Sequence, residues 1–137
     1  MGRTDILTIC TVVKDDIAGL IRTYSSIAKQ DMLCTWIIVT PNDNSAIIEL
    51  VNEWAKAGIV NAVIYDDGKG IYNAMNIAIN YIDSESWLWF INAGDEIPHS
   101  DIVRYLENEI HLSKDESWLF GGYYLGNSVF EIIGTYN

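Results

Sequence analysis

The strongest constraint on the fold is an alternation of β-branched runs with stretches whose apolar residues recur at helical spacing. The strand-like runs are Ile6–Val13, Cys34–Thr40, Ile59–Tyr65 and Trp87–Ile91. Because parallel strands need crossover connections, the pattern predicts an α/β fold with a mostly parallel sheet and helices on both faces. The last run is expected to be buried on both faces. A length of 137 residues predicts a single domain, residues 1–137.

Helical periods separate and follow these runs. The apolar positions are Ile17, Leu20, Ile21, Tyr24, Ile27 and Ala28 in the first helix, Ile47, Ile48, Val51, Trp54 and Ala55 in the second, Ala74, Met75, Ala78, Ile79 and Ile82 in the third, and Ile102, Val103, Leu106 and Ile110 in the fourth. Acidic residues at Asp15 and Asp16 favour a helix start, and Asn44 or Ser45 can cap the second helix. Further strands are expected in Trp118–Tyr124 and Val129–Ile133, around Gly126-Asn127.

Each strand-like run ends in a polar loop that contains aspartate. The loops are Lys14–Asp16, Pro41–Ser45, Asp66–Gly70 and Asn92–Glu96. The carboxyl ends of parallel strands lie at one edge of a sheet, so these loops are predicted to converge on one cleft. There the Asp95 carboxylate is well placed to hold a metal or a substrate hydroxyl, whereas a turn or helix-cap role is the alternative for any single loop aspartate.

The segment Gly70–Asn76 places Tyr72, Asn73 and Asn76 in the first turns of the third helix, whose N-terminus points at the same cleft. Asn73 and Asn76 are three residues apart and share a helix face. Helix N-termini offer free N–H groups and a positive dipole end, which suit phosphate. The alternative is an ordinary capped helix with a buried tyrosine.

Composition and missing motifs exclude several classes of function. The net charge is −11 and the eight Lys and Arg residues are scattered, which argues against a nucleic-acid partner. An acidic protein that binds a phosphate ligand usually needs a divalent cation between the two. The sequence contains no P-loop, G-x-G-x-x-G, G-x-S-x-G or zinc-type Cys/His spacing. Cys10 and Cys34 lie in apolar runs and suggest buried thiols in the cytoplasm, with a disulfide between neighbouring strands as the alternative.

Two of these segments together resemble a known family. Gly70–Asn76, written GIYNAMN, and Phe90–Asp95, written FINAGD, are similar to the paired signature of family 2 glycosyltransferases, usually GIYDAMN and FLNSGD. The similarity is to the bacterial branch that builds capsule, O-antigen and colanic-acid-type polysaccharides. The N-terminal part also fits, with Thr11–Asp15 after a strand and a helix that carries Thr23 and Ser25–Ile27 and closes on Gln30. The resemblance extends from about Ile6 to Asp101.

The resemblance implies the GT-A fold, a Rossmann-like sheet that binds a nucleotide-diphospho-sugar, a UDP-sugar in the first place. It implies a hexosyltransferase whose acceptor is a polysaccharide or lipid-linked molecule. Asn92–Asp95 takes the position of the family's D-x-D motif, so Asp95 would ligate Mn²⁺ or Mg²⁺ that bridges the donor's phosphates. With the helix-start residues above, the expected nucleotide-sugar-binding residues are Thr11, Lys14, Asp15, Thr40, Asp43, Asp66, Asp67, Lys69, Tyr72, Asn73, Asn76 and Asn92.

The sequence departs from the family pattern at several aspartate positions, including the one after the glycine of the fifth strand, where Phe120–Tyr124 contains no aspartate. Thr40 follows the second strand, with Asp43 three residues later, and Asn73 replaces the aspartate of GIYDAMN. Gly68 stands where an aspartate precedes GIY, although Asp66 and Asp67 can substitute through a shifted loop. These departures favour a second hypothesis, a non-catalytic nucleotide-sugar-binding or interaction module on the same fold. A flavodoxin-like signalling domain is a third hypothesis, which the paired motifs weigh against.

The family also normally continues into a C-terminal part with the acceptor pocket and the general base. The sequence is therefore expected to be the donor-binding part alone, truncated at the C-terminus, and no catalytic residue is assigned. It would be a fragment of a longer protein, a chain that needs a partner, or a relative without catalysis. A cytoplasmic location is expected, with a homo-oligomer or peripheral association with the inner face of the membrane left open.

Overall fold

The computed structural model describes residues 2–83 and 85–113 and the backbone of four short strands beyond them. The elements are, in order, β1 (Gly2–Val12), α1 (Ile17–Ala28), β2 (Met32–Pro41), α2 (Ser45–Lys56), β3 (Ala62–Asp66), α3 (Ile71–Tyr81), β4 (Trp87–Phe90) and α4 (Ile102–Ser113). This order confirms the predicted alternation of strands and helices. In the part of the chain that the structure describes, every helix is too short or too polar to cross a membrane.

The chain divides by its contacts into two compact units, Met1–Tyr105 and Leu106–Asn137. The first unit contains the parallel sheet, and α4 begins in the first unit and ends in the second. In the second unit, β5 (Trp118–Phe120) pairs antiparallel with β8 (Gly134–Tyr136), and β6 (Tyr123–Leu125) pairs with β7 (Ser128–Phe130). Strands were expected in this part of the sequence, but the turn at Gly126-Asn127 and residues 131–133 lie outside the described residues. The single-domain assignment stays a prediction.

The sheet of the first unit has four parallel strands in the order β3-β2-β1-β4. β1 lies in the interior of the sheet, as its continuous β-branched sequence predicts. β4 lies at an edge of this sheet and pairs with β1. Its residues 87–90 are half-buried, and Ile91 just beyond it is buried. The expectation that Trp87–Ile91 is buried on both faces is therefore wrong for residues 87–90. Their side chains are flanked by those of a neighbouring strand of this sheet on the β1 side only, and so less of their surface is covered.

One face of the sheet is covered by α3. Ala74 and Ala78 are one helical turn apart, and both pack on a buried cluster formed by Cys10, Ile37 and Val39. Small residues at this spacing let the helix approach the sheet closely. These positions belong to the face that the helical period predicts, although Ile79, expected on the same side, is 52% exposed. The exposed fraction of Ile79 reflects its place at the border of that face.

The other face of the sheet holds an aromatic cluster of Tyr24, Trp36 and Trp54, from α1, β2 and α2. The Tyr24 and Trp36 rings are stacked with centroids 5.8 Å apart, and Trp54 lies 4.8 Å from Tyr24 and 5.7 Å from Trp36. Trp36 is buried, and its Nε1 donates a hydrogen bond to Thr11 Oγ1 at 2.9 Å. Helices therefore cover both faces of the sheet, as predicted.

Side-chain caps begin the first two helices as the sequence indicates. Asp16 Oδ1 accepts a hydrogen bond from Gly19 N at 2.8 Å, and Asn44 Oδ1 accepts one from Ile47 N at 3.2 Å. Each cap satisfies one of the amide groups that a helix N-terminus leaves without a partner. The caps also fix where the loops before α1 and α2 end.

The two cysteines are buried free thiols. The register of β1 on β2 pairs Cys10 with Ile37 and Cys34 with Thr4, so the cysteines are not neighbours across the strands and the disulfide alternative is wrong. Burial raises the pKa of Cys10 to about 12 and that of Cys34 to about 11. Both thiols are therefore protonated at neutral pH, which excludes them as nucleophiles.

Candidate functional site

A cleft of about 410 Å³ opens at the carboxyl edge of the parallel sheet. Its lining residues come from all four loops that follow strands β1 to β4 and from the start of α3. They are Val12, Val13, Lys14, Asp15, Asp16, Pro41, Asp66, Gly68, Gly70, Ile71, Asn92 and Ala93. The loops thus converge as the parallel topology predicts. The volume is in the range of pockets that bind small molecules, about 300–1,000 Å³.

The loop after β1 contributes Lys14, Asp15 and Asp16, which are all exposed. Asp16 caps α1, and Asp15 Oδ1 accepts a hydrogen bond from Asn44 Nδ2 at 3.4 Å, which links this loop to the one after β2. Together with Asp66, the carboxylates that line the cleft outnumber the one lysine there. A phosphate-bearing ligand would therefore need positive charge from a cation or from helix N–H groups.

The loop after β3 is stabilised by bonds to its own neighbours. Asp66 Oδ1 accepts from Gly68 N and Asp67 Oδ1 accepts from Lys69 N, each at 3.3 Å. Asn73 Nδ2 donates to Asp67 Oδ1 at 2.8 Å, and Lys69 Nζ lies 3.4 Å from Asp67 Oδ2. An ionised aspartate at position 73 could not donate this hydrogen bond. The asparagine in GIYNAMN thus matches the aspartate at position 67.

The N-terminus of α3 opens into the cleft through Gly70 and Ile71. Gly70 has φ 109° and the helix has no side-chain cap. Its first intrahelical bond runs from Ala74 N to Gly70 O, so the amides of residues 71–73 have no intrahelical acceptor. Tyr72 is 79% exposed, and the alternative of a capped helix with a buried tyrosine is therefore wrong. Such a helix end suits an anion.

The turn after β4 carries the candidate metal ligand. Asp95 N donates to Asn92 O at 2.9 Å and Gly94 has φ 100°, the features of a turn that needs positive φ at its third residue. Asn92 lines the cleft, and its buried Oδ1 has no hydrogen-bond partner among the described residues. Asp95 is exposed at the end of the turn.

A cation at Asp95 would have to draw most of its ligands from outside the chain. In residues 2–83 and 85–113, no group of three or more His, Cys, Asp or Glu side chains could hold a metal ion. Mg²⁺ in nucleotide sites is commonly held by one or two carboxylates with water and substrate phosphates completing its shell. Asp95 is not among the lining residues, but Asn92 and Ala93 of the same turn are, and a lone exposed carboxylate beside the cleft fits that pattern.

A row of polar side chains on α1 and just beyond it holds the segment after β4. Thr23 and Ser26 are buried on α1, and Gln30, also buried, follows two residues after the end of the helix. Thr23 Oγ1 accepts from Gly94 N at 3.0 Å and donates to Asp95 O at 2.7 Å. Ser26 Oγ accepts from Ile97 N at 3.0 Å. Gln30 donates to His99 O at 2.6 Å and accepts from Val103 N at 3.0 Å.

Close packing accompanies these hydrogen bonds. A Cβ atom added to Gly19 would lie 2.9 Å from Gly94 N and would clash with the Asp16 carboxylate. A Cβ atom on Gly94 would lie 3.9 Å from Arg22 Nη2. Sequence reasoning expected the loop Lys14–Asp16 at the same edge of the sheet as this turn, but it did not identify Gly19 or Arg22 as neighbours of the turn.

The structure brings some of the expected nucleotide-sugar residues to the cleft and leaves others away from it. Lys14, Asp15, Asp66 and Asn92 line the cleft, and Asp67, Lys69 and Asn73 form the network beside it. Asp43, Tyr72 and Asn76 are exposed but are not among the lining residues.

Thr11 and Thr40 have a different place. Both are fully buried, with the Thr11 hydroxyl bonded to Trp36 and the Thr40 hydroxyl 3.5 Å from Pro41 O. Their side chains do not line the cleft. Their positions therefore give no support to a direct contact with nucleotide, and support the packing of β1 and β2 instead.

Comparison with known proteins shows similarity at the level of structure. No protein-family model and no curated protein matches the sequence. The structure is similar to that of TarS of S. aureus, a glycosyltransferase, with a TM-score of 0.64 and 16% identity over 77% of this chain. With the crystal structure of TarS 1-349 in complex with UDP, the TM-score is 0.71 and the identity 15% over 89% of this chain. The chain spans 19% and 37% of the lengths of those two chains. At this identity the likeness concerns the fold alone, and the chain has the α/β fold of these neighbours.

Proposed function

We propose that this chain is the donor-binding part of a glycosyltransferase and binds a nucleotide-diphospho-sugar, with a UDP-sugar as the first candidate. The transfer would be of the hexosyl type, to a polysaccharide or lipid-linked acceptor, as in the bacterial capsule and O-antigen branch that the sequence resembles. The observation that carries the proposal is the cleft of about 410 Å³ at the carboxyl edge of the sheet. A UDP complex of a chain with the same fold supports it.

Each loop of the cleft would bind a different part of the sugar nucleotide. The uncapped N-terminus of α3 at Gly70 offers free amides for the diphosphate. Asn92 Oδ1, a buried acceptor without a partner among the described residues, can accept a hydrogen bond from a donor hydroxyl. Lys14 and Asp15 also line the cleft, and their positive charge and acceptor would suit the nucleoside end of the ligand.

Asp95 would hold Mn²⁺ or Mg²⁺ together with the donor's two phosphates. When bound, the cation supplies positive charge to the diphosphate as it leaves the sugar. The chain's own contribution is to fix Asp95 at the end of a rigid turn and to present helix amides to the same phosphates. In the transfer itself, the bond from the anomeric carbon to the diphosphate oxygen breaks, and the acceptor hydroxyl oxygen bonds to that carbon. The acceptor's proton passes to a base that we leave unassigned.

The test is calorimetric titration of the protein with UDP and with GDP, each with Mn²⁺ and with EDTA. We expect UDP to bind more tightly with Mn²⁺, and the Asp95→Ala variant to lose this metal-dependent gain. Glu53→Ala, which removes an exposed carboxylate from α2, is the matched control and should bind like the wild type. Absence of nucleotide binding in all these titrations would refute the proposal.

Hydrolysis of a UDP-sugar separates an active donor site from a binding module. An active site of this type releases UDP slowly when water replaces the acceptor, so UDP release above the Asp95→Ala background would support catalysis. Metal-dependent UDP binding without any hydrolysis or transfer would favour the non-catalytic module.

A further inference from the structure

The turn that presents Asp95 is completed by a side chain from another element. Thr23 lies on α1 and is fully buried. Its hydroxyl accepts from Gly94 N at 3.0 Å and donates to Asp95 O at 2.7 Å. A hydroxyl has one proton, and the shorter distance assigns it to Asp95 O over Asn92 O, which lies at 3.3 Å. Thr23 therefore bonds the backbone on both sides of the peptide link between Gly94 and Asp95.

These bonds restrict the dihedral angles that aim the Asp95 side chain. The Asp95 amide is bonded to Asn92 O at 2.9 Å, so both its N–H and its C=O have fixed partners. Gly94 is held in the left-handed region at φ 100°. The carboxylate itself is exposed. The backbone therefore fixes the direction of the Asp95 Cα–Cβ bond, and the carboxylate, which has no hydrogen bond to another described residue, stays available for a ligand.

We propose that Thr23 is the positioning residue for metal binding at Asp95. This inference rests on the proposed function, because it assumes that Asp95 ligates the cation. Thr23 does not touch the metal and acts by holding the turn in the geometry that brings the carboxylate to the donor's phosphates. Outer-shell partners of metal ligands typically change metal affinity by about 10–100-fold when they are removed.

Ser26 and Gln30 have a different task in the same row. Their hydrogen bonds to the segment after β4 involve Ile97, His99 and Val103, beyond Asp95 in the chain, and Ser26 Oγ also donates to Thr23 O at 2.8 Å. Loss of one of these bonds would weaken the attachment of the segment to α1 without freeing the turn. The Ser26→Ala variant is therefore a matched control, since it removes a buried hydroxyl from the same helix and keeps both bonds between the Thr23 hydroxyl and the turn, although it loses the bond from Ser26 Oγ to Thr23 O.

The measured quantity is the ratio of the UDP dissociation constant in EDTA to that in saturating Mn²⁺, which reports the coupling between nucleotide and metal. Thr23→Val keeps the side-chain shape and removes the hydroxyl, and we expect the ratio to fall by about tenfold or more. Thr23→Ser keeps the hydroxyl and should retain the wild-type ratio, as should Ser26→Ala. The dissociation constant in EDTA should change little in any of them. Circular dichroism establishes that each variant is folded.

Suppose that the wild type shows the coupling and Asp95→Ala loses it. An unchanged ratio in Thr23→Val would then overturn this inference and leave the proposed function standing. An equal fall in Ser26→Ala would also overturn it, because the effect would then belong to the whole segment. A wild type without metal-dependent UDP binding would overturn both. If Thr23→Val does not fold, Gly94→Ala perturbs the same turn, since an added Cβ meets no atom closer than 3.5 Å but is strained at positive φ. It should show the same fall, and a wild-type ratio would contradict the inference.

Discussion

The two loops that flank the cleft are built in different ways. Residues 92–103, after β4, are attached to α1 and to Gln30 just beyond it by buried side chains that bond backbone groups about 70 positions away in sequence. In the loop after β3, Asp66 is half-buried and residues 67–70 are exposed, and their described side-chain bonds reach no further than Asn73. Buried polar bonds are costly to break, whereas exposed local ones exchange readily with water. The difference indicates a rigid wall at the turn after β4, where Asn92 and Ala93 line the cleft, and an adaptable wall at Asp66–Gly70.

Amide hydrogen exchange gives the largest expected contrast between the walls. The amides of Gly94, Ile97 and Val103 should exchange at least about a hundredfold more slowly than those of Gly68 and Lys69, after correction for sequence. The reason is that the first group is released only when the segment leaves α1, whereas the second group is freed by rotation of exposed aspartates. Similar protection in the two groups would remove the distinction between the walls.

Substitution of Gly19 tests the rigid wall directly. Gly19→Ala would push a Cβ atom to 2.9 Å from Gly94 N and against Asp16. We expect the free energy of unfolding to fall by about 2 kcal/mol, as for other overpacked sites, although alanine is the better helix former. Denaturant titration measures this. Gly68→Ala is the control on the other wall, where a Cβ meets nothing closer than 4.0 Å and only the positive φ costs about 1 kcal/mol. A loss for Gly68→Ala larger than for Gly19→Ala would reverse the comparison.

The two buried thiols allow the packing on the two faces of the sheet to be compared. The pKa of Cys10, under α3, is raised from 9.0 to about 12, and that of Cys34, beside α1, from 9.0 to about 11, both by burial. Because the pKa of Cys10 is raised further, we expect Cys34 to be the faster of the two to be alkylated at pH 8. Mass spectrometry of the labelled peptides measures the rates. Faster labelling of Cys10 would show that α3 detaches from the sheet.

The same pKa shifts set a direction for the pH dependence of stability. A folded-state pKa above the unfolded value means that the folded protein binds the proton more tightly. The stability associated with the neutral thiols is therefore complete below pH 9 and is lost as the pH rises toward 12. Cys10→Ala should show a shallower decline over this window, and an identical slope would contradict the assignment.

The smallest expected effect concerns the adaptable wall. Asn73→Ala removes the 2.8 Å bond to Asp67, and because that bond is exposed we expect the unfolding free energy to fall by no more than about 0.5 kcal/mol. Asn73→Asp places a second carboxylate beside Asp67, so its effect should diminish as salt is added. Thermal unfolding at two ionic strengths distinguishes the two variants. A loss of several kcal/mol for Asn73→Ala would show that the loop after β3 contributes to stability as the segment after β4 does.

Sequence alone predicted the features that follow from local periodicity and from parallel topology. In a parallel sheet the loops that follow the strands lie at one edge, whatever side chains they carry. The convergence of Lys14, Asp66 and Asn92 could therefore be predicted from the spacing of the strands in the sequence. Helix caps at Asp16 and Asn44 were accessible because a cap depends on residues only three positions apart.

Features that depend on approach between distant elements were not accessible. The burial of Thr11 and Thr40 follows from the side of the sheet they face, and the pairing of Asn73 with Asp67 follows from the shape of one loop. The role of Thr23 follows from the distance between α1 and the turn after β4, which no local pattern encodes. The edge position of β4 depends on strand order, and the apolar run alone suggested an interior strand.

The aromatic cluster gives the molecule an optical property of its own. Tyr24 directly follows Thr23 on α1, and its ring is stacked on Trp36 at an interplanar angle of 5° with centroids 5.8 Å apart. Rings fixed so closely couple their electronic transitions, which produces strong near-ultraviolet dichroism and efficient energy transfer from the tyrosine to the tryptophans. The near-ultraviolet signal of these rings therefore depends on whether α1 is packed against the sheet. Any shift of α1 that breaks the bonds between Thr23 and the turn of Asp95 should change that signal, even in the absence of ligand.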